Sequence, residues 1–291
     1  MADLLQYKQL IVNNFPRLTK NQKRIAQYFI DHPEEFAFSS IDTIANKLNV
    51  GKSTIVRLAK ALGYDGFLEL KIELSNKLRD DFSQTKKFTD TLKNQSTRVD
   101  FISILSNNEA RNIQSTIQKI DKNMFNEAIK IFIAAPNIYT LGSGISRFLS
   151  EIAAYYFNRM NMKTKAFTHG SVSFEEQIIS LKKDDAILII SLPPYTYSNI
   201  EAAEAARYRG VKVISITDQI TSPISQYSDV VFVCDTENIV FINTVCSILS
   251  LIYVLATGIG LSDRTTSLTS LSLLEKVESE YGFDIHAEFF E

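Results

Sequence analysis

Cysteine and histidine are scarce in this chain of 291 residues, and their scarcity excludes several chemistries. The two cysteines, Cys234 and Cys246, fall at the end of one apolar strand-like run and within an apolar helix-like one, as buried thiols do. Neither a disulfide framework nor a thiolate metal site follows from that count and spacing. The three histidines, His32, His169 and His286, are too scattered for a ligand cluster, so no metal or cofactor is expected. Charge of one sign is also missing. With 31 Lys and Arg against 33 Asp and Glu the formal net charge is -2, which gives no global field for nucleic acid. The opening MADLLQYKQL lacks the basic region and apolar core of a signal peptide, making a reducing, cytoplasmic location the expectation.

What charge there is lies unevenly. Residues 1–80 carry 12 Lys and Arg against 9 Asp and Glu, and the remainder 19 against 24, so the amino-terminal part is the better candidate for meeting phosphate. One long run, 239–260, has no charged residue and is long enough to span a bilayer. Asn243, Ser247, Ser250 and Thr257 fall along one helical face of it, acidic residues precede it and only Arg264 follows closely. These features predict a buried helix in a subunit interface and no membrane partner.

The organising stretch is 39–66. Ile41, Ile44, Ala45 and Leu48 recur at helix spacing, and after Val50 and Gly51 so do Ile55, Leu58, Ala59 and Leu62. So short a gap forces the two helices across each other as a helix-turn-helix. Ser39 with Asp42 predicts a capping box, and Gly51 the open backbone angles of the turn. With the apolar stripe inward, Ser53, Arg57 and Lys60 share the opposite face, and Lys52 and Thr54 stand at its amino end. Hydroxyls and long cations so placed suit the major groove; they equally suit the solvated face of a bundle helix. Around this pair, Thr19 with Gln22 predicts a capped helix with Ile25, Tyr28 and Phe29 inward, ended by Pro33, and a further helix starts at Phe67.

Residues 79–106 are polar, charged and poor in periodic apolar positions, as a linker is. Two helices follow, around 109–120 and 124–135. Then short apolar runs at 138–141, 165–167, 186–191, 211–217 and 230–234 alternate with helix-length segments, which predicts an α/β domain with a five-stranded parallel sheet flanked by helices. In such sheets ligands bind beyond the carboxyl ends of the strands. Two ends are marked: Gly142-Ser143-Gly144-Ile145-Ser146, and Ser191-Leu192-Pro193-Pro194-Tyr195-Thr196 with a helix starting near Ser198. Glycine at the first lets backbone N–H groups approach an anion, and hydroxyls from both could converge on one phosphate. Each could also be a strand-to-helix turn using Gly, Ser and Pro for geometry alone.

Together these features resemble the RpiR family of bacterial transcription regulators, an amino-terminal helix-turn-helix joined to a sugar isomerase (SIS) domain. In the first domain the resemblance is carried by IANKLNVGKSTIVRLAKALGYDGFLELK (44–71), similar to the family's Ile-Ala helix, Val-Ser turn, Thr-x-x-Arg recognition helix and Leu-Gly-Tyr/Phe-x-Gly-Phe/Tyr close; Gly51 replaces the turn Ser. In the second it is carried by the GSGIS loop, AARYRGVKVISIT (205–217) and SPISQYSDVVF (222–232). The resemblance implies a helical DNA-binding domain (1–78), a linker (79–106) and a SIS domain (107–291) that binds a phosphorylated sugar and dimerises. It implies DNA contacts from Lys52, Ser53, Thr54, Arg57 and Lys60, and effector contacts from Gly142, Ser143, Gly144, Ser146, Ser191 and Thr196. SIS phosphate loops often read S-x-S-G-x-T; here Pro193 and Pro194 stand in place of the central Ser and Gly, removing a hydroxyl and two N–H donors. Those prolines keep open a SIS domain that only dimerises. An aminosugar-phosphate isomerase would need a base, for which His169, Glu175 and Glu176 are the candidates.

Overall fold

The computed structural model describes residues 2–81, 89, 101–168, 174–238 and 243–280. The first six helices are α1 (Ala2–Asn14), α2 (Lys20–Asp31), α3 (Pro33–Phe38), α4 (Ile41–Leu48), α5 (Lys52–Ala61) and α6 (Phe67–Asp81). α2 starts as expected: Thr19 Oγ accepts from the Gln22 N–H, and Gln22 Oε1 accepts from the Thr19 N–H at 2.9 Å. Pro33 does not simply end this helix. It opens α3 at a first-turn position where its missing N–H costs nothing.

The capping of α4 is shifted by one residue. Ser40, not Ser39, is its N-cap, with Oγ accepting from the Thr43 N–H at 3.1 Å, because Ser39 is already used closing α3 and is buried. The left-handed turn residue is likewise Asn49 (φ 48°, ψ 55°) and not Gly51, which has ordinary extended angles as N-cap of α5. Asn tolerates that region because its short polar side chain is compatible with it. Phe29 and Phe36 stack at 4.4 Å in the core of this domain, with Ile25, Ile44, Ile55, Leu58, Leu70 and Leu74 around them at 1% exposure or less. At about 1.5–3 kcal/mol per fully buried large apolar side chain, this cluster is what holds α5 in place.

The second domain opens with α7 (Phe101–Lys119), which begins inside the stretch expected to be linker, and α8 (Lys122–Ala134). It continues with β1 (Ile138–Gly142), α9 (Ile145–Arg159), β2 (Thr164–Ala166), α10 (Phe174–Ile179), β3 (Ala186–Ile190), α11 (Tyr197–Tyr208), β4 (Lys212–Thr217), β5 (Val230–Val233), α12 (Cys246–Ser262) and α13 (Arg264–Glu280). All pairings are parallel, in the order β2-β1-β3-β4-β5. β3 is buried on both faces: Ala186, Leu188 and Ile190 pack with α8, α9 and α12, while Ile187 and Ile189 join the side covered by α11.

The helix in the uncharged run begins only at Cys246, so Asn243 lies before it; Ile239 to Ile242 are outside the described residues. Ile248, Leu251, Ile252, Leu255 and Ile259 of α12 are buried in the chain's own core. Among the described residues no single helix is long and apolar enough to cross a membrane.

Candidate functional site

The helical domain sits on the second domain through α3, α4 and α6. Thr43 Oγ1 lies 3.4 Å from both Glu204 and Tyr227, Gln226 Nε2 donates to Ser39 Oγ at 3.1 Å, and Gln219 Nε2 to Glu34 Oε1 at 3.5 Å. One buried cluster runs without a break from Phe29 and Phe36 to Tyr195, Ile200 and Val213. α5 packs within its own domain, against α2, α4 and α6. Its outer face is open to solvent.

On that face Lys52, Ser53, Arg57 and Lys60 are exposed, and Thr54 is half-buried. Arg57 lies back along the helix, Nε donating to the Ser53 carbonyl at 3.1 Å and Nη2 to its hydroxyl at 3.1 Å. Lys52 pairs with Asp42 of α4; both side chains are about 60% exposed, so the pair is worth little and gives way readily to a stronger anion.

The chain crosses from β1 to β2 on one side of the sheet and returns to β3 on the other, so the order reverses between β1 and β3. A cavity of about 590 Å³ opens at their carboxyl ends. That is the crevice where open α/β sheets bind ligands. Ser143, Gly144, Ile145 and Ser146 form one wall, Leu192, Pro193, Pro194 and Thr196 a second, and Asn238, Asn243, Thr244 and Val245 a third. Gly144 (φ 59°, ψ -127°) caps α9 with angles that L side chains rarely adopt. The amino ends of α9 and α11, neither capped by a side chain, both abut the cavity with their positive dipole ends. No Lys, Arg or His is among the described lining residues.

Of the six residues expected to hold an effector, the structure gathers Ser143, Gly144, Ser146 and Thr196 on the cavity. Gly142 lies behind them, at the close approach of β1 to the first turn of α9. Ser191 is not among the described lining residues: its N–H donates to the Ile216 carbonyl in the sheet ladder, and its buried Oγ has no hydrogen-bond partner among the described residues. Sequence reasoning missed Asn199, which accepts from Ser143 Oγ at 2.7 Å, and the wall of Asn238, Asn243 and Thr244. Glu109 stands behind that wall, accepting from Thr244 Oγ1 at 2.5 Å and from Asn238 Nδ2 at 3.4 Å. A usable signal was the clustering of amides and hydroxyls just before the uncharged helix. Of the alternative bases, His169 and the Glu175 side chain lie outside the described residues.

The seat between the domains holds two carboxyls, Glu34 and Asp218, both raised above the usual carboxylate range by burial. A raised acid contributes stability that is present below its unfolded value and lost as pH rises through its folded one. Glu34→Gln should therefore gain on the wild type in unfolding free energy as pH rises. Denaturant melts of both proteins between about pH 4 and 8 measure this, and a difference that does not change with pH would contradict it.

Two family models match the chain: the helix-turn-helix domain of the rpiR family over residues 5–81, and the SIS domain over residues 131–258. An HTH-type transcriptional regulator of Haemophilus influenzae is 26% identical over 220 residues, covering 75% of this chain and 76% of the relative. HexR of Pseudomonas aeruginosa, also an HTH-type transcriptional regulator, is 25% identical over 266 residues, 90% of each chain. The structure of Vibrio vulnificus NanR complexed with ManNAc-6P superposes with a TM-score of 0.62 at 20% identity, over 94% of this chain and 98% of NanR. The sugar isomerase domain of an RpiR transcription factor from Sphaerobacter thermophilus gives 0.59 at 18% identity, over 61% and 99%. With its helix-turn-helix and its five-stranded parallel SIS sheet in that order, the chain belongs to the RpiR family of DNA-binding transcriptional regulators.

Proposed function

We propose that this regulator reads an operator with the outer face of α5, and that its hold on DNA is set by a phosphorylated sugar bound in the cavity at β1 and β3. The observation that carries the reading is the cavity's composition: two helix amino ends and the hydroxyls of Ser143, Ser146 and Thr196 on one side, amides and a hydroxyl on the other. The first side suits a phosphate without needing a cationic side chain, and the second suits sugar hydroxyls. NanR, whose fold is similar over nearly its whole length, was solved with a sugar phosphate bound. The described lining offers hydroxyls and amides rather than a side-chain base, which supports sensing over isomerisation. The protein would act in the cytoplasm on duplex DNA.

A thermal-shift panel of hexose 6-phosphates, N-acetylhexosamine 6-phosphates and pentose 5-phosphates tests the reading. A ligand at a hundred times its Kd stabilises the folded state by about 2.7 kcal/mol, a rise of several degrees. If no sugar phosphate raises the melting temperature, the SIS domain serves dimerisation alone, the reading that Pro193 and Pro194 favour. Incubating the same panel and assaying for converted sugar tests for an isomerase.

One helix-turn-helix makes few contacts, so two copies are needed for a specific site. Phe148 and Tyr155 of α9, Tyr253 and Leu261 of α12, and Leu268 and Leu273 of α13 remain 43–64% exposed and support self-association through these helices. Equilibrium sedimentation should give a dimer or larger assembly, and Leu268→Glu with Leu273→Glu should shift it toward the monomer; a monomer in the wild type would overturn this.

A further inference from the structure

The loop that lines the cavity is also part of the seat of the DNA-binding domain. Pro193, Pro194 and Thr196 face the cavity, and the residues between and after them face the other way. Tyr195 is 1% exposed; the Phe38 ring stands edge-on to it at 5.9 Å, its hydroxyl donates to Asp218 at 2.7 Å, and Gln219, which also reaches Glu34, donates to it at 3.1 Å. Tyr197 lies beside Phe38 at 5.2 Å, and its hydroxyl is 2.6 Å from Ser75 Oγ on α6 and donates to the Ala37 carbonyl at 3.3 Å. The Lys71 ammonium sits 4.9 Å over the Tyr197 ring. On the cavity side Asn243 Nδ2 donates to the Pro193 carbonyl at 2.6 Å. Thr196 itself is extended, at φ -107° and ψ 139°, so Tyr195 and Tyr197 on either side of it lie opposite to its side chain.

We infer that residues 193–197 are a two-sided coupling element, in which Tyr195 and Tyr197 are positioning residues that translate the state of the cavity into the way the helix-turn-helix domain is held. Five residues separate the two environments by one backbone thickness. A ligand that moves Pro194 or Thr196 must move the tyrosines with them or strain the loop, and interiors packed this closely shift between discrete arrangements instead of deforming smoothly. Linkage then makes the effect reciprocal: whatever changes the seat changes the affinity of the cavity by the same factor. The contacts of Thr43 with Glu204 and Tyr227, and of Gln226 with Ser39, lie outside the loop and keep the domains together when the loop is altered.

The inference rests on the proposed sugar-phosphate site, and its test has one arm that needs no ligand. In the full chain without ligand or DNA, Asn243→Ala should speed amide hydrogen exchange severalfold in α3 and α6, on the far side of the loop. Thr244→Val, which lines the same cavity but bonds Glu109 instead of the loop, should not. Unchanged exchange in Asn243→Ala, or equal loosening in Thr244→Val, would overturn the inference whether or not an effector exists. The second arm uses the tightest sugar phosphate of the panel and an upstream DNA fragment that the wild type shifts. Its ratio of DNA dissociation constants with and without sugar, expected at about 5–150, should fall at least threefold in Tyr197→Phe and in Ser75→Ala, with melting temperature unchanged. A ratio kept within twofold of the wild type in both would overturn the coupling role. A panel in which nothing binds would overturn the sensor reading alone, leaving the exchange arm to decide the inference.

Discussion

Gly142→Ala is expected to cost the second domain about 3 kcal/mol or more and to abolish retention of any sugar phosphate. A Cβ on Gly142 would fall inside contact distance of the carbonyl carbon and oxygen of Ser146, and close to its Cβ. The obstacle is backbone in the first turn of α9, so no rotamer change relieves it. Either β1 leaves its ladder, in which Gly142 pairs with Ile190, or α9 moves outward. The second course displaces the N–H groups and the Ser143 and Ser146 hydroxyls that face the cavity. Folded domains are held by only about 5–15 kcal/mol, so a loss of this size shows directly in the melting temperature. Gly144→Ala is the control. Nothing lies within 4 Å of its added Cβ, but its φ of 59° strains any L residue, so its effect should be smaller, about 1 kcal/mol. Denaturant titration of both variants measures the difference, and equal stability of Gly142→Ala and wild type would refute the packing account.

Much of the architecture was legible because it rests on short-range patterns. The five strands appear within a residue or two of their apolar runs, and α4 and α5 follow the spacing of Ile44, Ala45, Ile55, Leu58 and Ala59. The misreadings come from choices that neighbouring residues settle among themselves. Ser39 and Ser40 are both good caps, and only the closing bond from the Ser39 N–H to Glu35 decides between them. Gly51 is the obvious turn residue, yet the left-handed angle falls on Asn49, where Arg24 also donates to the Leu48 carbonyl from α2.

The site was legible in part for a related reason. The glycine-serine loop and Thr196 announce themselves as strand ends, whereas Asn199, Asn238, Asn243 and Thr244 come together only through the packing of α11 and α12 around the sheet. Nor does sequence spacing reveal that Tyr195 and Tyr197 belong to the seat of another domain, since their partners, Phe38 and Ser75, lie more than a hundred residues away. Contacts of that range cannot be read from periodicity.

On the DNA side, Arg57→Ala should weaken operator binding by about 1–3 kcal/mol and relax discrimination at one base position, without changing the melting temperature. Arg57 is exposed and its hydrogen bonds go to Ser53 on its own helix, so its removal leaves no buried group unpaired. The same bonds hold the guanidinium against the helix, one turn from the amino end proposed to enter the groove. Arginine there can pair bidentately with a guanine edge, which lysine, a compact point charge, matches less well. Lys52 and Lys60 should behave differently. Each is exposed at one end of α5, and neutralising a phosphate is their expected part. Lys52→Ala or Lys60→Ala should then weaken specific and nonspecific complexes alike and lower the salt slope of binding by about 1. Titrations of operator and unrelated DNA at several salt concentrations separate the two roles. If Arg57→Ala lowers the salt slope and leaves the ratio of specific to nonspecific affinity intact, Arg57 contacts a phosphate and the base is read by Ser53 or Thr54. If none of the three substitutions changes affinity, the outer face of α5 is not the surface that meets the duplex.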